Sequence, residues 1–106
     1  MSTYSAPLRD MRFVLFEVFA AESLWARLPA TAEVNRELAD AILEESAKIA
    51  GDLIAPLNSS GDEEGVRWQD GEVSTPAGFK EAFRTYSEGG WIGLSGNPDF
   101  GGQGMP

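Results

Sequence analysis

Between Pro7 and Glu22 the residues Leu8, Met11, Val14, Leu15, Val18 and Phe19 recur at spacings that put them on one broad helical face. Arg9, Asp10, Arg12 and Glu17 occupy the opposite side, so a helix is predicted over about 7–22, with Pro7 at the first helical position, where a missing N–H does no harm. Phe13 and Phe16 fall among those charges, which predicts a second contact surface on the polar side. A connector, Ser23 to Thr31, carries Trp25 and Leu28. A second helix is then predicted over about 32–55, with Thr31 as its N-cap and Glu33 near the positive end of its dipole. At 1.5 Å per residue it would run about 35 Å.

That helix has two apolar stripes side by side, Val34, Leu38, Ala41, Ile42, Ile49 and Leu53 beside Ala39, Leu43, Ala47, Ala50 and Ile54. Its polar remainder is narrow, with Glu44 and Lys48 spaced as an i,i+4 pair. So wide an apolar arc requires neighbours on two sides. Pro56 is expected to end the helix and Asn58 to Gly65 to form a polar loop. Asp70-Gly71 between the short segments Val66–Gln69 and Glu72–Ser74 predicts a β-hairpin. A third helix is expected to open with Thr75 as cap and Pro76 at the first position. It presents Phe79, Ala82, Phe83 and Tyr86 on one narrow face and stops at Gly89-Gly90. Trp91 to Leu94 is a short apolar plug, and a Gly-rich loop closes the sequence. The expected class is mainly α: three main helices with a short hairpin-like loop.

At 106 residues the chain is one domain at most, and its 42 % hydrophobic content is that of an ordinary globular protein. The net charge of −9, from 8 basic and 17 acidic residues, is spread along both halves. It argues against nucleic acid or an anionic membrane as partner, since both would be repelled. With no Cys there are no disulfides or thiolate metal sites, and with no His the commonest general base is gone. No secretory leader and no membrane span are read from the sequence, and a cytoplasmic location is expected.

Three groups of residues could carry chemistry. Gly101-Gly102-Gln103-Gly104 could cradle a phosphate, but neither the GxxxxGK[ST] nor the GxGxxG spacing is present. The favoured reading is a turn whose backbone passes close to something, which glycine permits. Asp62-Glu63-Glu64-Gly65 lacks the alternation of a calcium loop, and Glu45 and Asp52, at the rim of the apolar stripe, have no convergent partner. Trp25, Trp68, Trp91, Phe79, Phe83 and Tyr86 could line an apolar pocket, although such spacings belong more often to a core. No catalytic, cofactor-binding or metal-ligating residue is assigned.

Taken in order, the motifs are more specific than any one alone. "YSAPLRDMRFVLFEV" resembles the N-terminal extension of one subgroup of acyl-CoA dehydrogenases, and "EESAKIAGDLIAPLN" followed by "GD" resembles the helix and loop that come next there. "DGEVSTPAGFKEAFRTYSEGGWIGL" and "PDFGGQGMP" are similar to that subgroup's following helix and Gly-rich turn. The subgroup includes dehydrogenases of 3-(methylthio)propanoyl-CoA and of fatty acyl-CoA.

The resemblance implies that residues 1–31 are the extension helix and connector, and that 32–106 are the first part of the N-terminal helical domain. The rest of that domain, a middle β-domain and a C-terminal helical bundle would follow, so the chain is expected to be an N-terminal fragment, inactive by itself. The implied parent is an FAD-dependent, homo-oligomeric enzyme that performs α,β-dehydrogenation of an acyl-CoA thioester. A carboxylate would remove the α-proton while the β-hydrogen leaves as hydride to the flavin. The flavin site and the catalytic Glu lie in the later parts of such enzymes, and no position here matches them. Two alternatives stand beside this reading. One is a free-standing acidic helical interaction module that uses Phe13 and Phe16. The other is the same fold serving an acyl-CoA oxidase or a flavin monooxygenase.

Overall fold

The computed structural model describes residues 4–106. It is mainly helical, as expected, with helices α1 (Leu8–Arg12), α2 (Ala21–Arg27), α3 (Arg36–Lys48), α4 (Pro56–Glu64) and α5 (Phe79–Glu88). Strands β1 (Arg67–Gln69) and β2 (Glu72–Ser74) form one antiparallel hairpin. Two π-helical turns, Phe13–Val18 after α1 and Ile49–Ile54 after α3, carry those helices onward.

The first helix ends sooner than its periodicity predicts. Ala20 takes a left-handed conformation with φ 46°, and the chain re-enters a helix at Ala21, so most of the expected connector is α2. A left-handed alanine costs about 1–2 kcal/mol. The turn brings Ala21 and Trp25 inward against Val34, where they form the main buried cluster with Leu15, Phe16 and Met105 packed around it. The π-turn also changes the phase of the first helix. Its i→i+5 bonding, seen from the Phe19 amide to the Val14 carbonyl, swings Leu15 and Phe16 toward α2. Val14, Val18 and Phe19, expected to face inward, stay exposed.

The second helix begins four residues later than predicted. Asn35 is its N-cap, accepting the Leu38 amide through its side chain at 2.8 Å, while the Glu22 carboxylate accepts the Arg36 amide at 2.9 Å. Thr31 lies in a 3-10 turn, Pro29–Thr31, and its buried hydroxyl donates to the Trp25 carbonyl at 3.0 Å. Pro56 does not stop the helix. The Ala55 amide bonds five residues back to Ala50, and this wider turn accommodates the proline, whose missing N–H then opens α4. Asn58 to Glu64, expected as a loop, is therefore helical, and Gly65 ends it with φ 74°. α3, the second π-turn and α4 together make one rod.

The hairpin follows the sequence reading. Asp70 and Gly71 both have positive φ, and Trp68 pairs with Val73. The third helix starts at Phe79, behind a left-handed Gly78, and Thr75 does not cap it. The Glu64 carboxylate accepts the Ala77 amide at 2.9 Å and ties that entry to the end of α4. At the other end Gly90 donates to Ser87 and Trp91 to Tyr86, with φ 81° at Gly90, a Schellman stop where Gly89-Gly90 predicts one.

The whole is a slab, 54 × 35 × 16 Å, with a radius of gyration of 17.4 Å against the ~13 Å usual for this length. Ala21, Trp25, Val34, Pro76 and Ala82 are the buried apolar side chains among the described residues. Globular domains bury their apolar stripes between two or more layers, and here only the corner where α1 and α2 fold over α3 is covered in that way.

Candidate functional site

A series of apolar clefts runs along the rod. Where α4 faces α5, an apolar cleft of about 330 Å³ is lined by Ile54, Leu57, Phe79, Ala82, Phe83 and Tyr86. Close helix contact forms its floor. A Cβ on Gly61 would come within 2.6 Å of the Phe79 ring, and one on Gly78 within 2.8 Å of Leu57. A second cleft, about 420 Å³, shares Ile54 and Tyr86 with the first and continues past Ile42, Trp91 and Leu94. A third, about 370 Å³, shares Ile42, Trp91 and Leu94 with the second and reaches Leu38 and Met105. The three make a row of apolar hollows, a trough divided by the side chains they share, and the middle one is also walled by Tyr4, Ala6 and Met11.

The six aromatic residues considered for a pocket are divided. Phe79, Phe83, Tyr86 and Trp91 line the trough, Trp25 is core, and Trp68 stands 72 % exposed on the hairpin. The proposed second surface at Phe13 and Phe16 is corrected by half. Phe13 is exposed, but Phe16 meets Trp25 edge-on with ring centroids 6.4 Å apart, and the Arg36 guanidinium lies over it at 4.5 Å.

The charged groups form braces. Arg12 reaches across from α1 and donates to both Asp40 and Glu44 on α3. Those two hydrogen bonds, Asp40 first, push its pKa above the ordinary arginine value. Glu44, expected to pair with Lys48, is thus taken by Arg12. Lys48 instead donates to Glu45 at 2.7 Å, and that bond raises the lysine's pKa. Asp52 is exposed, Glu64 serves the Ala77 amide, and among the described residues no three potential metal ligands converge.

The Gly-rich turn folds back on the plug before it. The amides of Gly101 to Met105 donate in turn to the carbonyls of Pro98, Asn97, Gly93, Gly96 and Leu94, at 2.9–3.1 Å. A cradle for the pyrophosphate of a dinucleotide needs free N–H groups. Here each is already used, so these residues do not fit FAD. The close approach that glycine permits is to Gly96: a Cβ on Gly102 would lie 2.1 Å from the Gly96 carbonyl oxygen. Sequence reasoning missed that partner and the Arg12 brace. The Gly93 and Gly96 pair upstream of Gly101-Gly102 is the signal that could have revealed the first.

No family model matches the chain. It is similar to a 3-methylmercaptopropionyl-CoA dehydrogenase of Ruegeria pomeroyi, 37 % identical over 107 residues. The match takes in 98 % of this chain and 18 % of the relative, so the chain spans less than a fifth of that protein's length.

Proposed function

We propose that this chain, a sequence relative of an acyl-CoA dehydrogenase along nearly all of its length, is the N-terminal helical part of such an enzyme and has no activity alone. The likeness to the Ruegeria protein carries the reading, and the extended, sparsely buried build supports it. Residues 1–31 are then the extension and connector, and 32–106 the opening of the helical domain. The parent removes the α and β hydrogens of an acyl-CoA thioester in the cytoplasm, as a homo-oligomer.

Its FAD is held by later parts of the polypeptide, a reading supported by the Gly-rich turn, whose amides are spent on Gly93, Leu94, Gly96, Asn97 and Pro98. What these helices contribute is an apolar wall that keeps water out, with the turn from Gly101 to Gly104 closing one corner of it. The interaction-module alternative loses ground because Phe16, one of its two contact residues, is engaged with Trp25 and Arg36.

The purified 106-residue chain is expected to be colourless and to give no heat on titration with FAD or an acyl-CoA. The full polypeptide read from the native gene is expected to be yellow and to reduce an electron acceptor with an acyl-CoA. A gene that ends at Pro106, or a short chain that retains flavin, overturns the reading.

A further inference from the structure

The first helix and its π-turn, Leu8 to Val18, have one face in use and one open. Arg12 and Phe16 are engaged with α2 and α3, and Leu15 packs on the buried cluster. On the other side Phe13 is 58 % exposed, Val18 55 % and, at the end of the turn, Phe19 70 %. A helix with apolar residues on two faces needs a neighbour on each. An α-helix advances by about 40° between residues four apart, so Arg9, Phe13 and Glu17 would drift off one line. The π-turn spends more residues on its circuit and swings Glu17 back into line with Arg9. The three make an exposed stripe, with a cation four residues before the ring and an anion four residues after it. Neither Arg9 nor Glu17 has an ion-pair partner among the described residues.

We propose that this stripe is a twofold contact with a second copy of the chain, the two helices lying antiparallel and crossing at Phe13. This rests on the reading of the parent as a homo-oligomer and names one of its contacts. A twofold axis requires a self-complementary surface: what residue i gives to residue j of the partner, j gives back to i. Arg9, Phe13 and Glu17 meet that requirement, because reversing the stripe about Phe13 sets each Arg9 against the partner's Glu17. The two Phe13 rings meet at the centre, and Val14 and Val18 flank them. Charge favours the same face. Arg9 and Arg12 offset Asp10 and Glu17, so Leu8 to Phe19 is neutral in a chain of net charge −9, which relieves the repulsion between two acidic copies. A later segment of the same polypeptide would need none of this symmetry.

The test introduces Phe13→Cys into the full polypeptide read from the native gene, with Val73→Cys, comparably open on the hairpin, as the collision control. The unaltered polypeptide is the blank, and circular dichroism like its own reports that each variant has folded. Mild oxidation is expected to join two copies through position 13 about ten times faster than through position 73, because the contact holds the two thiols together. Arg9→Glu or Glu17→Arg, added to Phe13→Cys, sets like charges against each other at both ends and should slow that bond about tenfold. An equal mixture of the two charge variants should recover most of the rate, since every like pair then becomes an opposite one. Only a contact between two copies can be restored by mixing. A bond at position 13 no faster than at position 73 overturns the proposal. So does a bond from position 13 to a cysteine of its own chain, which would put later polypeptide on the stripe, and so do charge variants that mixing does not restore. These failures leave the enzyme reading standing, since colour and activity are measured on the unaltered polypeptide.

Discussion

The two sides of the central rod are built to different standards. At its N-terminal end, α1 and α2 fold over α3, so that Trp25 is 8 % exposed, Phe16 meets its edge, and the buried Thr31 hydroxyl ties the corner. Along α4 and α5 the same density of aromatic residues stays open: Phe83, with Phe79 and Tyr86 beside it, lines a trough with no lid among the described residues. The difference lies in the company each aromatic keeps within 106 residues. Residues near Trp25 in sequence can wrap it, whereas α4 and α5 form a simple pair with one flank each to spare. Apolar side chains left open in this way mark where a second layer would fit.

The sharpest way to break this comparison is truncation on both sides. Trp25→Ala leaves a cavity in the buried cluster between α2 and α3, and about 3–5 kcal/mol should be lost. Phe83→Ala removes a side chain that water already reaches and should cost under ~1 kcal/mol. Urea unfolding followed by circular dichroism measures both. Equal losses would mean that the trough is already packed and the contrast is false.

Gly61 sharpens the account of the trough floor. Inside a helix, Ala is better than Gly by about 1 kcal/mol, so propensity alone makes Gly61→Ala stabilising. Its Cβ, however, would stand 2.6 Å from the Phe79 ring. Over-packing of this kind costs about 1–3 kcal/mol. The clash should win, with a net loss of about 1 kcal/mol, and the sign should reverse in a Phe79→Leu background. A double-mutant cycle reads the coupling. If Gly61→Ala stabilises both backgrounds, α4 and α5 are not in close contact.

This position also shows what can be read from the chain and what cannot. Asn58-Ser59-Ser60-Gly61 has the composition of a loop, yet it is helix, because Gly61 admits Phe79 and not because the backbone turns there. Thr31 and Thr75 look like caps, yet Asn35 caps the second helix and no side chain caps the third, Glu64 binding the Ala77 amide just ahead of it, since capping depends on which oxygen reaches the amides. Asp70-Gly71 and Gly89-Gly90 were legible because positive φ at defined turn positions is a local requirement. The wide apolar arc of the second helix foretold neighbours on two sides. Which neighbours, and the trough they leave open, depended on the phase shifts of two π-turns. No residue pattern marks those. The Gly-rich turn was read as a close backbone approach, but its partner, Gly96, is set by a fold-back that only the three-dimensional path reveals.

On the finished side, Ala20→Gly should stabilise modestly. Glycine removes the ~1–2 kcal/mol strain of a left-handed alanine. It returns about 0.4–1 kcal/mol through the greater freedom of the unfolded chain. The balance is a gain of about 0.5–1 kcal/mol, read as a higher urea midpoint at an unchanged slope. A loss there would mean that the chain does not reverse at Ala20, and that the first helix continues to Glu22 as its periodicity predicts.

The smallest effect concerns the brace between α1 and α3. Arg12 holds Asp40 and Glu44 at a half-buried edge that water still reaches, where ion pairs contribute little and salt screens them. Its raised pKa means that the folded state holds this proton more tightly than the unfolded one. The contribution is therefore complete below the ordinary arginine value and is lost only as the pH climbs through the raised one. Across the neutral range it is flat. Arg12→Met should thus lower stability by less than Ala20→Gly raises it, by the same amount at mildly acidic and mildly alkaline pH. The loss should vanish near 1 M salt, where the screening length falls to about 3 Å. Urea midpoints at two pH values and two salt concentrations test this. A loss that persists in high salt would show that the stem of Arg12 packs α1 onto α3, which would make the junction of these helices apolar through its rim and widen its contrast with the open trough.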